Sequence, residues 1–476
     1  MNSKAQEEQQ AEHPGPVYGF RNYPGGWTSL QTIAVLAIGL AYSLGILLKL
    51  GPLNGIPEMS NWEWPWRSFG VLRTAALLLA PLPLIAWVVW KAEGSISRSQ
   101  ARWFLALLVV ANYGLQLLEV LVDRRGYALF IQIVTSPKAT SYYTDALAIE
   151  SLSHWLGTFH LQQLHNHAAT HPPAPILFYY LFVKLLGPSA AALWGACVIG
   201  FIGSLGILVM YHFVGLWTRD RRTRILAGAF YSVVPALVVF FPEFDQIYPL
   251  LAMLLVICWV KALNGSPAYA FYLGITLFVS TFFAYNLLTA GVFLAYYGIY
   301  WLWRQRSSRA IAKLVVSAGI ALALWAGIYA ALWGATGYDP FASLRSALAS
   351  QAVFAGYLHR SYIRCAIYDP YDFAMGAGFI AVVIIGLYLW RNARPFDGKR
   401  ADVVLTLIGL ATIFTVDFSG LLRAETARVW LFYQPLLVAP VALELAKLGR
   451  PSRLAVIAVQ WWILVCLKAS MAFIRP

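Results

Sequence analysis

Residues 173–187 read PAPILFYYLFVKLLG, and the predicted threading of the whole chain through a membrane depends on them. The segment is apolar, but its roughly 15 residues are fewer than the about 20 that a helix needs to cross the hydrocarbon core. Its early prolines suit the first turn of a helix, where a missing N–H costs little. We therefore predict a helix that lies at the outer interface, with Lys184 reaching toward the headgroups.

The composition of the chain is that of an integral membrane protein. Of its 476 residues, 60% are hydrophobic and 12% are charged, whereas soluble domains are roughly 45–50% apolar and about 25% charged. The net charge is +14, but no basic recognition helix or nucleic-acid motif accompanies it. We therefore predict membrane lipids as neighbours, no nucleic-acid partner, and an excess of basic residues in cytoplasmic loops.

About 13 other stretches are long and apolar enough to cross a membrane, and inside them the backbone must be helical. They lie near 27–50, 69–90, 102–122, 189–217, 223–241, 246–263, 267–285, 287–303, 312–335, 372–390, 401–417, 429–446 and 453–471. The predicted fold is an all-α polytopic membrane protein of about 13 transmembrane helices, with interfacial helices in the first long outer loop.

Clusters of Lys and Arg give the predicted orientation, because such clusters stay on the cytoplasmic side. With the N-terminus inside, the cytoplasmic loops contain Lys91, Arg98 and Arg102; Arg219, Arg221, Arg222 and Arg224; Arg304, Arg306, Arg309 and Lys313; Arg391, Arg394, Lys399 and Arg400; and Lys447, Arg450 and Arg453. The outer face then carries the segments 123–188, 336–371 and 418–428. A crossing by 173–187 would move the run TRDRRTR outside.

Four regions follow from this threading. They are a cytoplasmic tail at 1–26, an N-terminal transmembrane hairpin at 27–99, a helical core at 100–450 and a C-terminal transmembrane helix at 451–476. The N-terminus lacks the apolar core and cleavage site of a signal peptide. We expect a multi-pass protein of a bacterial plasma membrane.

The first outer segment contains SYYTDALAIE, in which Asp145 follows Tyr142 and Tyr143 and precedes Glu150. Ionisable groups at the boundary of membrane and loop are candidates for function. Asp145 is either a base held at the membrane surface or the N-cap of the amphipathic helix that ALAIESLSHWLGTF predicts. Both alternatives stay open at the sequence level.

The same segment contains HNHAATH, with His165, His167 and His171. His167 and His171 are weak candidates for a zinc-type metal site, because no metal-ligand spacing or partner cysteine accompanies them. The alternative is hydrogen bonding by loop histidines. The four cysteines show no paired spacing, so no disulfide framework is predicted.

Two further motifs carry charge at the predicted outer surface. In FFPEFDQIYP we expect Asp245 to be functional, because a carboxylate at that depth in the membrane is costly unless it is paired or faces water. We expect the neighbouring Glu243 to be solvated. In RAETARVWLFYQP, Arg423 and Arg428 suit a phosphate, which a guanidinium grips in bidentate fashion. The alternative is a pairing of arginine with Glu425 plus headgroup contacts. No ATP-binding loop is present.

Together these motifs resemble the GT-C superfamily of membrane glycosyltransferases, near the protein O-mannosyltransferases and the lipid A aminoarabinose transferase. The resemblance covers roughly 100–450. It rests on the order of Asp145 in the first outer loop, the segment THPPAPILFYYLFVKLLG with its helix-opening His171, the TRDRR cluster, the proline-bearing span before Asp245, and ETARVWLFYQP. Many members carry Asp-Glu at the catalytic position, whereas Ala146 follows Asp145 here, so Glu150 stays open as the second carboxylate.

The resemblance implies transfer of a sugar from a polyprenyl-phosphate donor to a hydroxyl on a lipid, polysaccharide or protein outside the cytoplasm. It implies Asp145 as the base, with Asp245 and His171 as further catalytic residues, and an inverting displacement. Arg423, Arg428 and Lys184 would face the donor phosphate, supported by Tyr142, Tyr143, Glu150, His167 and Glu425. No cofactor is certain, and a divalent metal stays open. The alternative function is a transporter or flippase of lipids or lipid-linked sugars.

Overall fold

A computed structural model of the chain describes residues 26–50, 64–165, 167–357, 361–393, 398 and 400–476. In these ranges the chain is helical and forms no strand beyond an isolated antiparallel bridge between Trp66 and Met471. The all-α class is therefore confirmed. The predicted tail (up to residue 25), most of the first outer turn, and Arg394 and Lys399 lie outside the described residues.

We number the α-helices of the described residues in chain order. They are α1 Ser29–Leu47, α2 Val71–Leu79, α3 Leu82–Lys91, α4 Arg98–Glu119, α5 Tyr127–Thr135, α6 Tyr142–Leu147, α7 Leu152–Gly157, α8 Ala174–Leu186, α9 Pro188–Val214, α10 Arg221–Tyr231, α11 Ala236–Val239, α12 Tyr248–Asn264, α13 Ala268–Phe283, α14 Ala290–Gln305, α15 Ser308–Thr336, α16 Pro340–Tyr357, α17 Tyr362–Ala377, α18 Ile380–Asn392, α19 Ala401–Ser419, α20 Thr426–Val429, α21 Gln434–Leu445 and α22 Arg450–Ser470.

Among the described residues, 7 helices are long and apolar enough to cross a membrane, and the number rises to 9 if each of two bent pairs is one span. The bent pairs are α2 with α3, at 54°, and α17 with α18, at 100°. The chain is thus a multi-pass membrane protein. The prediction of about 13 spans is not confirmed, because several predicted spans are built from shorter helices, such as α13.

The segment at 173–187 forms the helix that its sequence predicts. Helix α8 begins after Pro173 and ends at Gly187, whose φ of +78° favours glycine. At 13 residues it is one of the shorter apolar helices. Pro188 then opens the long helix α9 without any intervening loop.

Both long segments that we predict to be outer are mostly helical. The first contains α5 to α8, and the second contains α16 and the first part of α17. The single amphipathic helix predicted after Asp145 is wrong, because the chain breaks between α6 and α7 at residues 148–151. Ser141 precedes α6, and Gly157 is the last residue of α7. Helix α6 packs against α8, whereas α7 packs against α15.

The N-terminal hairpin packs on the C-terminal helix. Helix α1 contacts α22 and α18, while α2 and α3 contact α22 and α4. The backbone N–H groups of Arg67 and Phe69 donate to the carbonyls of Ser470 and Ala469, at 2.8 Å each. The predicted N-terminal hairpin and the predicted C-terminal helix therefore pack against each other.

The basic clusters collect at one end of the helices, which we call the basic end. There Glu93 lies 2.6 Å from Arg453 and 3.7 Å from Arg222, and the buried Glu444 pairs with Arg391 and Lys447. Helices α4 and α22 both start at this end and run to the opposite one, which we call the loop end. The gathering of these clusters agrees with the predicted threading.

Candidate active site

A buried polar cluster lies at the loop end, where α6, the turn before α12 and the turn before α20 meet. The Nη2 atom of Arg428 is 2.5 Å from Glu425 Oε2, and its Nη1 atom is 3.9 Å from Glu243 Oε1. The side chain of Arg428 is only 12% exposed. We call this group the Arg428 cluster; its members, which share electrostatic contact with Arg428, are Glu425, Glu243, Asp245, Tyr142, Tyr248 and His171.

Aromatic rings form the walls around the Arg428 cluster. The ring of Tyr142 lies edge-on to His171, at 5.6 Å between centroids, and to Phe244, at 5.3 Å. Phe244 in turn contacts Phe178 and Tyr179 of α8. The helix at 174–186 therefore forms one wall of the site.

Three buried polar atoms of the cluster have no hydrogen-bond partner in the described part of the chain. They are Glu243 Oε1, Tyr248 OH and Arg428 Nε. A buried polar group without a partner costs about 1–3 kcal/mol. Such atoms are the ones that a bound polar ligand would satisfy, because most buried polar groups in proteins are hydrogen-bonded.

Burial shifts the protonation of the cluster. It raises the pKa of Glu243 to about 8, against the opposing positive charge of Arg428, so this carboxyl is largely protonated at neutral pH. Burial lowers the pKa of His171 to about 4, and Arg428 acts in the same direction. His171 is therefore neutral, and its Nδ1 lies 2.8 Å from the carbonyl oxygen of His167.

The turn that carries Arg428 has a strained backbone. Ala424 and Glu425 have φ values of +63° and +53°, in the left-handed region that favours glycine. Asp369 accepts the N–H of Ala424 at 3.0 Å, and Asp372 accepts the N–H of Ala427 at 2.8 Å. Two buried carboxylates of α17 thus fix this conformation, and strain fixed in this way clusters at functional sites.

Asp145 lies on α6, one helical turn after Tyr142 of the Arg428 cluster. It is 5% exposed, and its Oδ1 is 2.5 Å from Nδ1 of His165. The N-cap alternative for Asp145 is wrong, because Ser141 occupies that position and Asp145 lies inside α6. Ser141 itself has a φ of +57°.

The remaining predicted site residues make other contacts. The Tyr143 hydroxyl donates to the carbonyl of Pro188 at 2.8 Å, which joins α6 to α9. Glu150 is exposed in the break between α6 and α7. Lys184 is exposed and lies over the ring of Tyr180, at 5.2 Å from its centroid. Arg423 is half-buried and lies over the ring of Tyr362, at 5.2 Å.

The histidine segment does not assemble a metal centre in the described residues. No group of three or more His, Cys, Asp or Glu side chains there is arranged to hold a metal ion. The rings of His167 and His171 are 6.4 Å apart, and His171 Nδ1 contacts the carbonyl of His167 and the hydroxyl of Thr170. These contacts hold the loop in shape.

The expectation that Glu243 is solvated is wrong. Glu243 is only 3% exposed. It lies on the turn after α11, and its Oε1 atom faces the guanidinium of Arg428. Sequence reasoning also missed Tyr248, Asp369 and Asp372. The signals were present: Tyr248 closes the motif FFPEFDQIYP, and the two aspartates in YDPYD are spaced to share a helix face.

Comparison with protein-family models and with curated proteins finds no match for this chain. The functional conclusion therefore rests on the geometry of the loop end.

Proposed function

We propose that this protein is a membrane glycosyltransferase that moves a sugar from a polyprenyl-phosphate donor to a hydroxyl acceptor at its loop end. The observation that carries the proposal is the Arg428 cluster, in which aromatic rings enclose buried polar atoms that have no hydrogen-bond partner among the described residues. Carboxyl, guanidinium and phenol groups can exchange hydrogen bonds with several hydroxyls of one sugar. Rings such as Tyr142 and Phe244 offer apolar faces to its C–H groups.

The contacts of Arg428 refine the roles that the sequence suggested. Arg428 already faces Glu425 and Glu243, so a phosphate bound directly to it would meet two carboxyl groups. We therefore assign the sugar to the Arg428 cluster. We assign the donor phosphate to Arg423, which lies five residues earlier and is half-buried, because a guanidinium can grip a phosphate in bidentate fashion. The lipid chain would extend into the bilayer.

The acceptor hydroxyl needs a base, and we assign this role to the pair of Asp145 and His165, one helical turn from Tyr142 of the cluster. Since the proposal uses no protein nucleophile, it predicts a single displacement with inversion at the anomeric carbon. Holding donor and acceptor in line would supply much of the remaining rate. We place this reaction on the non-cytoplasmic face of the membrane, as the basic residues predict.

The alternative is a transporter of lipids or lipid-linked sugars. Transporters bind their substrates near the bilayer midplane, with ionisable groups there. In the seven long described helices, every Asp, Glu, Lys, Arg and His lies within about two turns of a helix end. This distribution favours chemistry at one membrane surface over transport through the middle.

The test is sugar transfer from a mixture of polyprenyl-phosphate sugars by the purified wild type and by Asp145→Asn, with thermal unfolding as the folding control. We expect transfer by the wild type only, with similar unfolding midpoints. Undiminished transfer by Asp145→Asn would contradict the assignment of the base. Absence of transfer by both proteins, with a lipid-dependent rise in the unfolding midpoint, would favour the transporter.

A further inference from the structure

The pair of Asp145 and His165 is arranged more specifically than an isolated carboxylate base would require. Asp145 Oδ1 lies 2.5 Å from His165 Nδ1, and its Oδ2 accepts the backbone N–H of the same residue at 3.2 Å. One turn earlier on α6, Ser141 Oγ accepts the N–H of Ala168 at 3.0 Å. The histidine segment is thus fastened to α6 at two points, and the orientation of the His165 ring is fixed.

This geometry leaves one nitrogen of the ring available. With the ring proton on Nδ1, His165 donates to Asp145 and keeps a lone pair on Nε2. Its side chain is 48% exposed, whereas that of Asp145 is 5% exposed. No hydrogen-bond partner of Nε2 occurs among the described residues. A carboxylate on Nδ1 holds the tautomer in which Nε2 can accept a proton, and it stabilises the imidazolium that results.

We infer that His165 Nε2, and not Asp145 itself, takes the proton of the acceptor hydroxyl, and that Asp145 is a positioning residue. Both oxygens of Asp145 are engaged by His165, and its burial keeps an acceptor away from them. His165 presents its basic nitrogen on the side from which an acceptor can arrive. This inference rests on the proposed glycosyl transfer.

The step balances without a metal or a redox partner. The acceptor oxygen forms a bond to the anomeric carbon, while the bond from that carbon to the phosphate oxygen breaks. Its electron pair leaves with the lipid phosphate. The hydroxyl proton moves to Nε2 of His165, and the imidazolium, paired with Asp145, later releases it to water at its exposed edge.

The experiment measures transfer by the wild type, His165→Ala, His165→Gln and the control His154→Ala, each with and without added imidazole. His154 is an exposed histidine of α7 in the same outer segment. We expect His165→Ala to lose at least about 100-fold in rate, because positioned bases contribute about 10²–10⁴. Imidazole should restore part of that loss and should leave the wild type and His154→Ala unchanged.

His165→Gln separates structure from chemistry, because its amide can still donate to Asp145 but has no basic nitrogen. We expect an unfolding midpoint near that of the wild type and the same loss of transfer. Transfer by His165→Ala within threefold of the wild type would overturn the inference, and so would a loss that imidazole does not restore. A wild type that transfers no sugar would instead overturn the proposed function.

Discussion

At the scale of single residues, the chemistry of the site depends on groups whose charge is set by burial. Glu243 is the clearest case, because its carboxyl is enclosed with Arg428, Glu425 and Asp245. A raised pKa means that the folded protein keeps a proton that the unfolded chain has lost. Folding then becomes less favourable as the pH rises from the ordinary value of 4.5 toward about 8.

Glu243→Gln should remove this pH dependence, because glutamine resembles the protonated acid and does not titrate. Between pH 5 and about 8 we expect the wild type to lose stability relative to the variant, by at most about 1.4 kcal/mol per pH unit. The measurement is thermal unfolding of both proteins in detergent across this pH range. Parallel curves for the two proteins would show that Glu243 ionises normally in the fold.

At the scale of elements, the turn before α20 is held by α17. Asp372 accepts hydrogen bonds from Ala427 N, Thr426 Oγ1 and Trp64 Nε1, at 2.8, 3.3 and 2.6 Å. The Thr426 hydroxyl would keep a partner, because it also donates to the carbonyl of Asp369 at 2.6 Å. Asp372→Ala would leave the N–H groups of Ala427 and Trp64 without theirs, at a cost of about 2–4 kcal/mol. We expect lower stability and a loss of transfer, because the turn also positions Arg428.

The matched control is Asp339→Ala, which also removes a carboxylate that accepts backbone N–H groups. Asp339 caps α16 through Phe341 and Ala342, away from the Arg428 cluster. A capping change costs about 1 kcal/mol, and transfer should stay near the wild-type rate. Equal transfer by both variants would show that the turn does not depend on Asp372.

The contact between α7 and α15 depends on a glycine. A Cβ at Gly157 would lie 2.9 Å from the carbonyl oxygen of Thr336, whereas one at Gly334 would meet nothing within 4 Å. Gly157→Ala should therefore destabilise the protein by about 1–3 kcal/mol. Gly334→Ala, inside α15, should stabilise it by about 0.5–1 kcal/mol. Thermal unfolding compares the two, and equal midpoints would refute the close approach.

Elements were predictable from the sequence where their signals are local. The prolines at 172, 173 and 175 and Gly187 bound α8, as expected. The burial of Glu243 was not predictable, because it depends on Arg428, far along the chain. The pairing of Asp145 with His165 was not predictable, because it depends on how the segment between them folds back. Helix α16 lies in a segment predicted to be a long outer loop, although Asp339 before Pro340 is a helix-start signal.

At the scale of the whole molecule, the account depends on which side of the membrane the loop end faces. The basic end carries the clusters that the positive-inside rule assigns to the cytoplasm. The structure brings these clusters together through Glu93 and Glu444. Orientation relative to a membrane remains a prediction from the sequence.

Cysteine labelling tests this orientation with a matched pair of serines. Ser151 is exposed at the loop end and Ser266 is exposed at the basic end, beside Gly265, whose carbonyl accepts from Lys313. In a background without the four native cysteines, an impermeant maleimide should label Ser151→Cys on intact cells. Ser266→Cys should be labelled only after permeabilisation. The reverse pattern would place the site in the cytoplasm.

We propose that the Arg428 cluster binds the sugar of a lipid-phosphate donor. The most direct measurement is the release of free polyprenyl phosphate, in the presence of acceptor, by the wild type, Arg428→Lys and Arg391→Lys. Arg391 is the control because it also pairs with a buried glutamate, Glu444, at the opposite end. Lysine keeps the charge but loses the planar fork of the guanidinium.

We expect Arg428→Lys to lose at least about 100-fold in release, as removal of one positioned donor does in other enzymes, while Arg391→Lys stays near the wild type. Similar unfolding midpoints for the two variants would show that the difference in release arises at the Arg428 cluster and not from a loss of folding. Release by Arg428→Lys at the wild-type rate would contradict the account.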